Sequence, residues 1–191
     1  MNIGIWGDSI TYGACDSEAL GWVGRLRKTF LVDDSVSLYN FGICGDTSTD
    51  ICKRFAVEAE AVNPARIILA VGINDSKFLG DASEHNVSLA TYEENLAILI
   101  KQGKKYTNGI TIVSATKVAA EWRSMRGSRF LNEEIEKFNV VMQRLAHKHG
   151  LTYIDVFETL DIATDLVDGL HPNAVGYQKM FAVIQSKLDW V

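Results

Sequence analysis

Cysteine is scarce: the 191 residues hold only Cys15, Cys44 and Cys52. An odd number with no metal-ligand spacing excludes a disulfide framework and a structural zinc site, and leaves three reduced thiols, with Cys44 and Cys52 read as partly buried. No apolar run approaches the roughly 20 residues that a bilayer-spanning helix needs. The basic segment, apolar run and cleavage site of a signal peptide are missing from the N-terminus as well. No membrane insertion and a cytosolic location are therefore expected. Neither sign of charge dominates: the formal net charge is -5 and 23% of residues are charged, which argues against nucleic acid as a partner. Nucleotide signatures are missing too, because "GDSITYG" lacks the Lys of a phosphate-binding loop and no G-x-G-x-x-G follows a strand. Neither a metal nor an organic cofactor is implied. No linker, internal repeat or low-complexity tract breaks the chain, so residues 1–191 read as one domain, long enough to bury a core.

What the sequence does contain is alternation. Runs rich in branched apolar residues at 2–6, 36–41, 66–71, 110–115 and 152–156 read as strands, most of them too apolar to keep a wet face. Helical spacing follows over about 20–31, 48–61, 91–106, 130–149 and 172–188. Gly150 after Lys148 and His149 closes the fourth helix, and Pro172 with Asn173 opens the last. This alternation predicts a doubly wound α/β fold, its parallel sheet covered on both faces. In such a sheet, loops beyond the carboxyl ends of the strands form the ligand-binding edge. The long loops after the third and fourth strands, and the segment "ETLDIATDLVDGLHP", fall there.

The first strand ends abruptly in Gly7-Asp8-Ser9, which places a hydroxyl in a tight turn at that edge. Ser9 is a candidate nucleophile, provided a base and an orienting acid accompany it. Asp168 and His171 stand three apart in "DGLH". From a turn leading into a helix they can share one side, the carboxylate accepting from one imidazole nitrogen while the other takes the Ser9 proton. Each also has a plain reading, Asp168 as a turn former and His171 as a solvated loop residue. Gly45, just ahead of a helix start, and Asn74, after the third strand, can offer N–H donors to a developing oxyanion. Their plain readings are a positive-φ glycine and ordinary turn chemistry. Asp8 is expected to hydrogen-bond nearby backbone in its turn. Asp8, Asp75, Phe78 and Trp122 are candidates for substrate contact. Leu79, His85, Lys117, Arg123 and Met125 could add to a pocket or lid, and Trp22 reads as core.

Taken together, "GDS" at 7–9, the glycine of "CGDTS" at 44–48, "GIND" at 72–75 and "DGLH" at 168–171 resemble the ordered blocks of the SGNH (GDSL-type) hydrolases. The resemblance runs from Gly7 to His171. It implies a flavodoxin-like three-layer α/β/α fold with a five-stranded parallel sheet. It also implies site roles: Ser9 as nucleophile and first oxyanion donor through its backbone N–H, Gly45 as second donor through its backbone, and Asn74 as third through its side-chain amide. His171 is then the base, oriented by Asp168. No G-x-S-x-G elbow is present and the serine precedes everything else, so lipases of the α/β-hydrolase type are set aside. The expected activity is a serine esterase that cleaves small acyl esters through an acyl-enzyme. A carbohydrate acetylesterase is the first alternative, and the family's range adds thioesterase and lysophospholipase. A non-catalytic binding module is the rival from another class; it would show a broken block, and none is broken. The segment "EWRSMRGSR" serves either as a surface loop or as a subunit contact in a homo-oligomer.

Overall fold

The computed structural model describes residues 1–32, 35–120 and 127–190. Strand β1 (Asn2–Gly7) runs into a one-turn helix α1 (Ser9–Tyr12), followed by α2 (Gly21–Lys28), β2 (Ser37–Gly42) and α3 (Ser48–Val62). Next come β3 (Arg66–Ala70), a one-turn α4 (Ile73–Ser76), a short β4 (Phe78–Leu79) and α5 (Leu89–Gly103). The chain finishes with β5 (Ile110–Val113), a short β6 (Ser128–Arg129), α6 (Asn132–His149), β7 (Thr152–Ile154) and α7 (Ala174–Lys187).

The main sheet is five-stranded in the order β2-β1-β3-β5-β7, and every pairing in it is parallel. Its side chains alternate between two cores, as the two-residue repeat of a strand requires. Ile3, Ile5 and Ile68 pack with Trp22 and Leu26 of α2 and with Tyr177 and Ile184 of α7. Trp6, Ile67 and Leu69 pack on the other face with Phe55 of α3, Leu96 of α5 and Phe138 of α6. The result is the expected three-layer α/β/α fold. Edge strand β2 is the exception to burial, with no fully buried residue. Among the described residues, no helix is long and apolar enough to cross a membrane.

β1 pairs with β2 on one side and with β3 on the other. The chain therefore leaves β1 in one direction and returns past it in the other, so the connections after β1 and β3 lie on opposite faces and open a crevice between them. Ser9 follows β1 and Asn74 follows β3, so both stand at this switch point.

Some boundaries differ from the sequence reading, for local reasons. The fourth strand stops at Val113 rather than 115, because the Asn139 side chain of α6 takes both backbone groups of Ala115, its N–H at 2.9 Å and its C=O at 3.1 Å. The fifth stops at Ile154, where Ser114 Oγ accepts from the Val156 N–H at 2.8 Å in place of a ladder bond. The last helix starts at Ala174, with Asn173 as N-cap accepting from Gly176 N–H at 3.0 Å. The first long helix shortens to Gly21–Lys28, and the fourth begins at Asn132. The antiparallel ladder β4-β6 ties the two long loops together and was not anticipated.

Candidate active site

Gly7 ends β1 where nothing larger fits. A Cβ there would lie 2.1 Å from Thr11 Oγ1 and 2.4 Å from the Ala70 carbonyl. That close approach lets the first turn of α1 fold tightly against the tip of β3. Asp8 is the N-cap of this turn, its Oδ1 accepting from Ile10 N–H at 3.0 Å. Ser9 is thereby set as the first helical residue, 7% exposed.

Opposite Ser9, the turn 168–171 is closed by its own carboxylate. Asp168 Oδ1 accepts from the backbone N–H groups of Leu170 (3.0 Å) and His171 (2.8 Å). Its other oxygen, Oδ2, lies 2.8 Å from His171 Nδ1. His171 Nε2 in turn lies 2.9 Å from Ser9 Oγ. Partial burial would raise the Asp168 carboxyl, but the hydrogen bonds from His171 and Leu170 outweigh it and hold the group below its ordinary value. Asp168 is thus a carboxylate at neutral pH, and the imidazole places Nδ1–H toward it with Nε2 as acceptor for the serine. The sequence separation of 162 residues between Ser9 and His171 is closed by the fold alone.

Gly45 adopts φ +89°, a left-handed conformation that disfavours any side chain, and is exposed. Its loop is clamped by Arg54, whose guanidinium reaches Asp46 at 2.9 Å and the Phe41 carbonyl at 2.7 Å. Thr47 and Asp50 form a capping box that opens α3 just beyond. Asn74 binds this loop directly, its Nδ2 donating to the Asp46 carbonyl at 3.1 Å. Lys77 Nζ donates to Asn74 Oδ1 at 3.3 Å, which fixes which end of the carboxamide carries the N–H groups. Lys77 was missed in the sequence, although its three-residue spacing from Asn74 across a one-turn helix is the kind of signal that reveals such a pair.

The residues expected to contact substrate fare differently. Asp75 is wholly buried, and Ser48 supplies both of its carboxylate oxygens with donors from its backbone N–H (3.0 and 3.1 Å), with the Ser48 hydroxyl adding a third bond. It anchors α4 to the start of α3 and offers substrate no surface, so its expected role is corrected. Asp8 is 3% exposed and lines a small pocket of about 20 Å³ with Thr11, Trp22, Gly72 and Met180. Burial, reinforced by Asp75 and Asp46 against the Ile10 N–H bond, pushes its carboxyl up to about 7. Burial likewise lifts Asp75 to about 6 despite the Ser48 bonds. The fold thus brings a second carboxylate, Asp75, within electrostatic range of Asp8. Phe78 is 7% exposed, its ring tilted against His85 at 4.8 Å and covered by Arg129 at 4.8 Å, so its contacts here are with the loop and the β4-β6 ladder. Trp122, with Arg123 and Met125, lies outside the described residues. Cys44 is exposed rather than partly buried, and so is Cys15, while Cys52 is half-buried. Cys15 sits near Asp168 and His171, a proximity that no local motif signals.

A model of the GDSL-like lipase/acylhydrolase family matches residues 5–179. An acetylxylan esterase from Geobacillus stearothermophilus is 23% identical over 209 residues, covering 97% of this chain and 93% of that protein. A multidomain esterase from Ruminococcus flavefaciens is 38% identical over 52 residues, 26% of this chain and 7% of that one. Among solved structures, Axe2, an acetylxylan esterase from Geobacillus stearothermophilus, superposes with a TM-score of 0.80 at 20% identity, covering 100% of this chain and 94% of that one.

Proposed function

The chain belongs to the GDSL-like lipase/acylhydrolase family and is a carboxylic ester hydrolase, and on that premise we propose that Ser9, His171 and Asp168 run an acyl-enzyme mechanism on small acyl esters. The observation that carries the proposal is the continuous chain from Ser9 Oγ to His171 Nε2 at 2.9 Å and from His171 Nδ1 to Asp168 at 2.8 Å. Ser9 Oγ attacks the ester carbonyl as its proton passes to Nε2. The imidazolium is stabilised by the Asp168 carboxylate and gives that proton to the departing alcohol. Water then enters, loses a proton to the same nitrogen, and releases the acid. The oxyanion of each tetrahedral intermediate is held by the Ser9 and Gly45 backbone N–H groups and by Asn74 Nδ2. Two features support this part: the left-handed backbone at Gly45 and the tether from Asn74 to Asp46, the residue after Gly45.

Within this chemistry a carbohydrate acetyl ester is the second reading, supported by the acetylxylan esterase that matches nearly the whole chain. The same proposal sets the enzyme in a reducing, cytosolic environment, which suits free thiols at Cys15, Cys44 and Cys52. Hydrolysis of p-nitrophenyl esters from acetate to octanoate, beside an acetylated xylo-oligosaccharide, tests both. Acetate as the best ester, with Ser9→Ala slower by about 10,000-fold or more, is the expected result. Undiminished turnover in Ser9→Ala refutes the mechanism, and a preference for octanoate refutes the small-acyl reading.

A further inference from the structure

We infer that Cys15, Asp168 and His171 form a binding site for a soft divalent cation of the zinc class, and that its occupation switches the esterase off. The inhibitory half rests on the reading of His171 as the base; the site itself does not. One ligand atom from each of the three residues, a thiol sulfur, a carboxylate oxygen and an imidazole nitrogen, lies within 4.8 Å of the others. This mixture of donors is the set that four-coordinate zinc takes, with one position left for water.

Both halves of the site are held in place before any ion arrives. Cys15 follows α1 in a left-handed conformation, φ 66°, between two tethered neighbours. On one side the Ala14 carbonyl accepts from Tyr177 Oη at 2.8 Å. On the other, the Asp16 carboxylate accepts from the backbone N–H groups of Glu18, Leu20 and Gly21 and pairs with Arg25. The Asp168 turn is closed by its own two backbone bonds, and the His171 carbonyl accepts from Val167 N–H at 2.9 Å. Adjusting the Sγ rotamer is therefore the main motion that capture requires, and little ordering cost remains. Cys15 is exposed, so an ion has a path in.

Proton accounting explains the inhibition. On capture the thiol proton goes to solvent and the sulfur bonds the metal; no electrons are transferred and no oxidant is needed. Asp168 exchanges its hydrogen bond from His171 for a bond to the cation. His171 changes tautomer: its Nδ1 proton leaves to solvent as Nε2 takes one up from solvent, so the Nδ1 lone pair goes to the metal and the ring's one proton now sits on Nε2. That nitrogen then donates to Ser9 Oγ instead of accepting from it, and the serine has no base. Without metal, partial desolvation, Asp168 and Cys44 hold the Cys15 thiol above its ordinary value, so it is a quiet neighbour of the site rather than a rival nucleophile.

The test uses Zn²⁺ in turnover assays and Cd²⁺ as a spectroscopic probe, on the wild type, Cys15→Ala and Cys44→Ala. The expected result is inhibition by Zn²⁺ that a chelator reverses, weaker by roughly 100-fold in Cys15→Ala, since even groups outside the ligand sphere change metal affinity 10- to 100-fold. Cys44→Ala should behave as wild type. Cd²⁺ should raise an ultraviolet thiolate-to-metal charge-transfer band that Cys15→Ala lacks, and Ser9→Ala, which has no turnover to inhibit, should show the band undiminished. Absence of a Cys15-dependent band overturns the site. A Cys15-dependent band with unimpaired hydrolysis overturns the switch, and with it the assignment of His171 as base.

Discussion

Lys77 illustrates how one residue acts through another. Its ammonium donates to Asn74 Oδ1, so its effect is to hold the carboxamide with Nδ2 turned toward the 45–46 loop. Lys77→Met should lower kcat by about tenfold with KM nearly unchanged, a smaller loss than the roughly 100- to 1,000-fold expected for Asn74→Ala if Asn74 is the oxyanion donor proposed above. A larger change in KM than in kcat would assign Lys77 to substrate binding instead. Asp8 carries a pH dependence whose sign follows from its burial. Its ordinary value is 3.8 and the folded value about 7, so between these the folded protein holds a proton that the unfolded chain has lost. Stability then falls as pH rises from about 4 to about 7, and Asp75, raised to about 6, adds to the same slope. Asp8→Asn keeps an acceptor for Ile10 N–H and removes the titrating group. Urea midpoints measured across that window should therefore decline less with pH in Asp8→Asn than in wild type; identical slopes would show that Asp8 does not titrate there.

Element ends respond to side chains rather than to apolar pattern. Residues 110–115 and 152–156 read as full strands because branched apolar residues run to their ends, yet Asn139 and Ser114 capture the backbone before the ladder is complete. Nothing in a single run of sequence says that an asparagine on α6, 24 positions away, will pair with Ala115. Asn139→Leu should cost about 2–4 kcal/mol in chemical denaturation by stranding the N–H and C=O of Ala115, and a loss under about 0.5 kcal/mol would mean that other groups satisfy them. Helix caps were more legible, because they are local: Asn173 opens α7 and Gly150 closes α6, as expected. The one-turn helices α1 and α4 were not, since four residues are too few to show a period. At the site itself, the spacing of Asp168 and His171 carried enough information to place them on one side of a turn. The burial of Asp75 did not show, because "ND" in a turn looks the same whether its carboxylate faces water or meets Ser48 of another element.

For the whole molecule, the decisive event is topological. Reversal of strand order around β1 lets the tips of β1 and β3 meet a loop that follows β7, so Ser9, Asn74 and the Asp168–His171 turn come from distant parts of the chain to one rim. Ordered short blocks could announce this, because the alternation of strand and helix leaves few ways to connect them. What such blocks could not announce is that the long loops after β3 and β5 are tied together through the β4-β6 ladder. All of the proposed chemistry depends on Ser9 being the nucleophile. The most direct measurement is peptide mapping by mass spectrometry after treatment with a fluorophosphonate. The prediction is one adduct per chain, on Ser9, appearing in step with loss of ester hydrolysis and absent from Ser9→Ala and His171→Ala. Full inactivation with the adduct on another residue, or hydrolysis that survives complete labelling of Ser9, would contradict it.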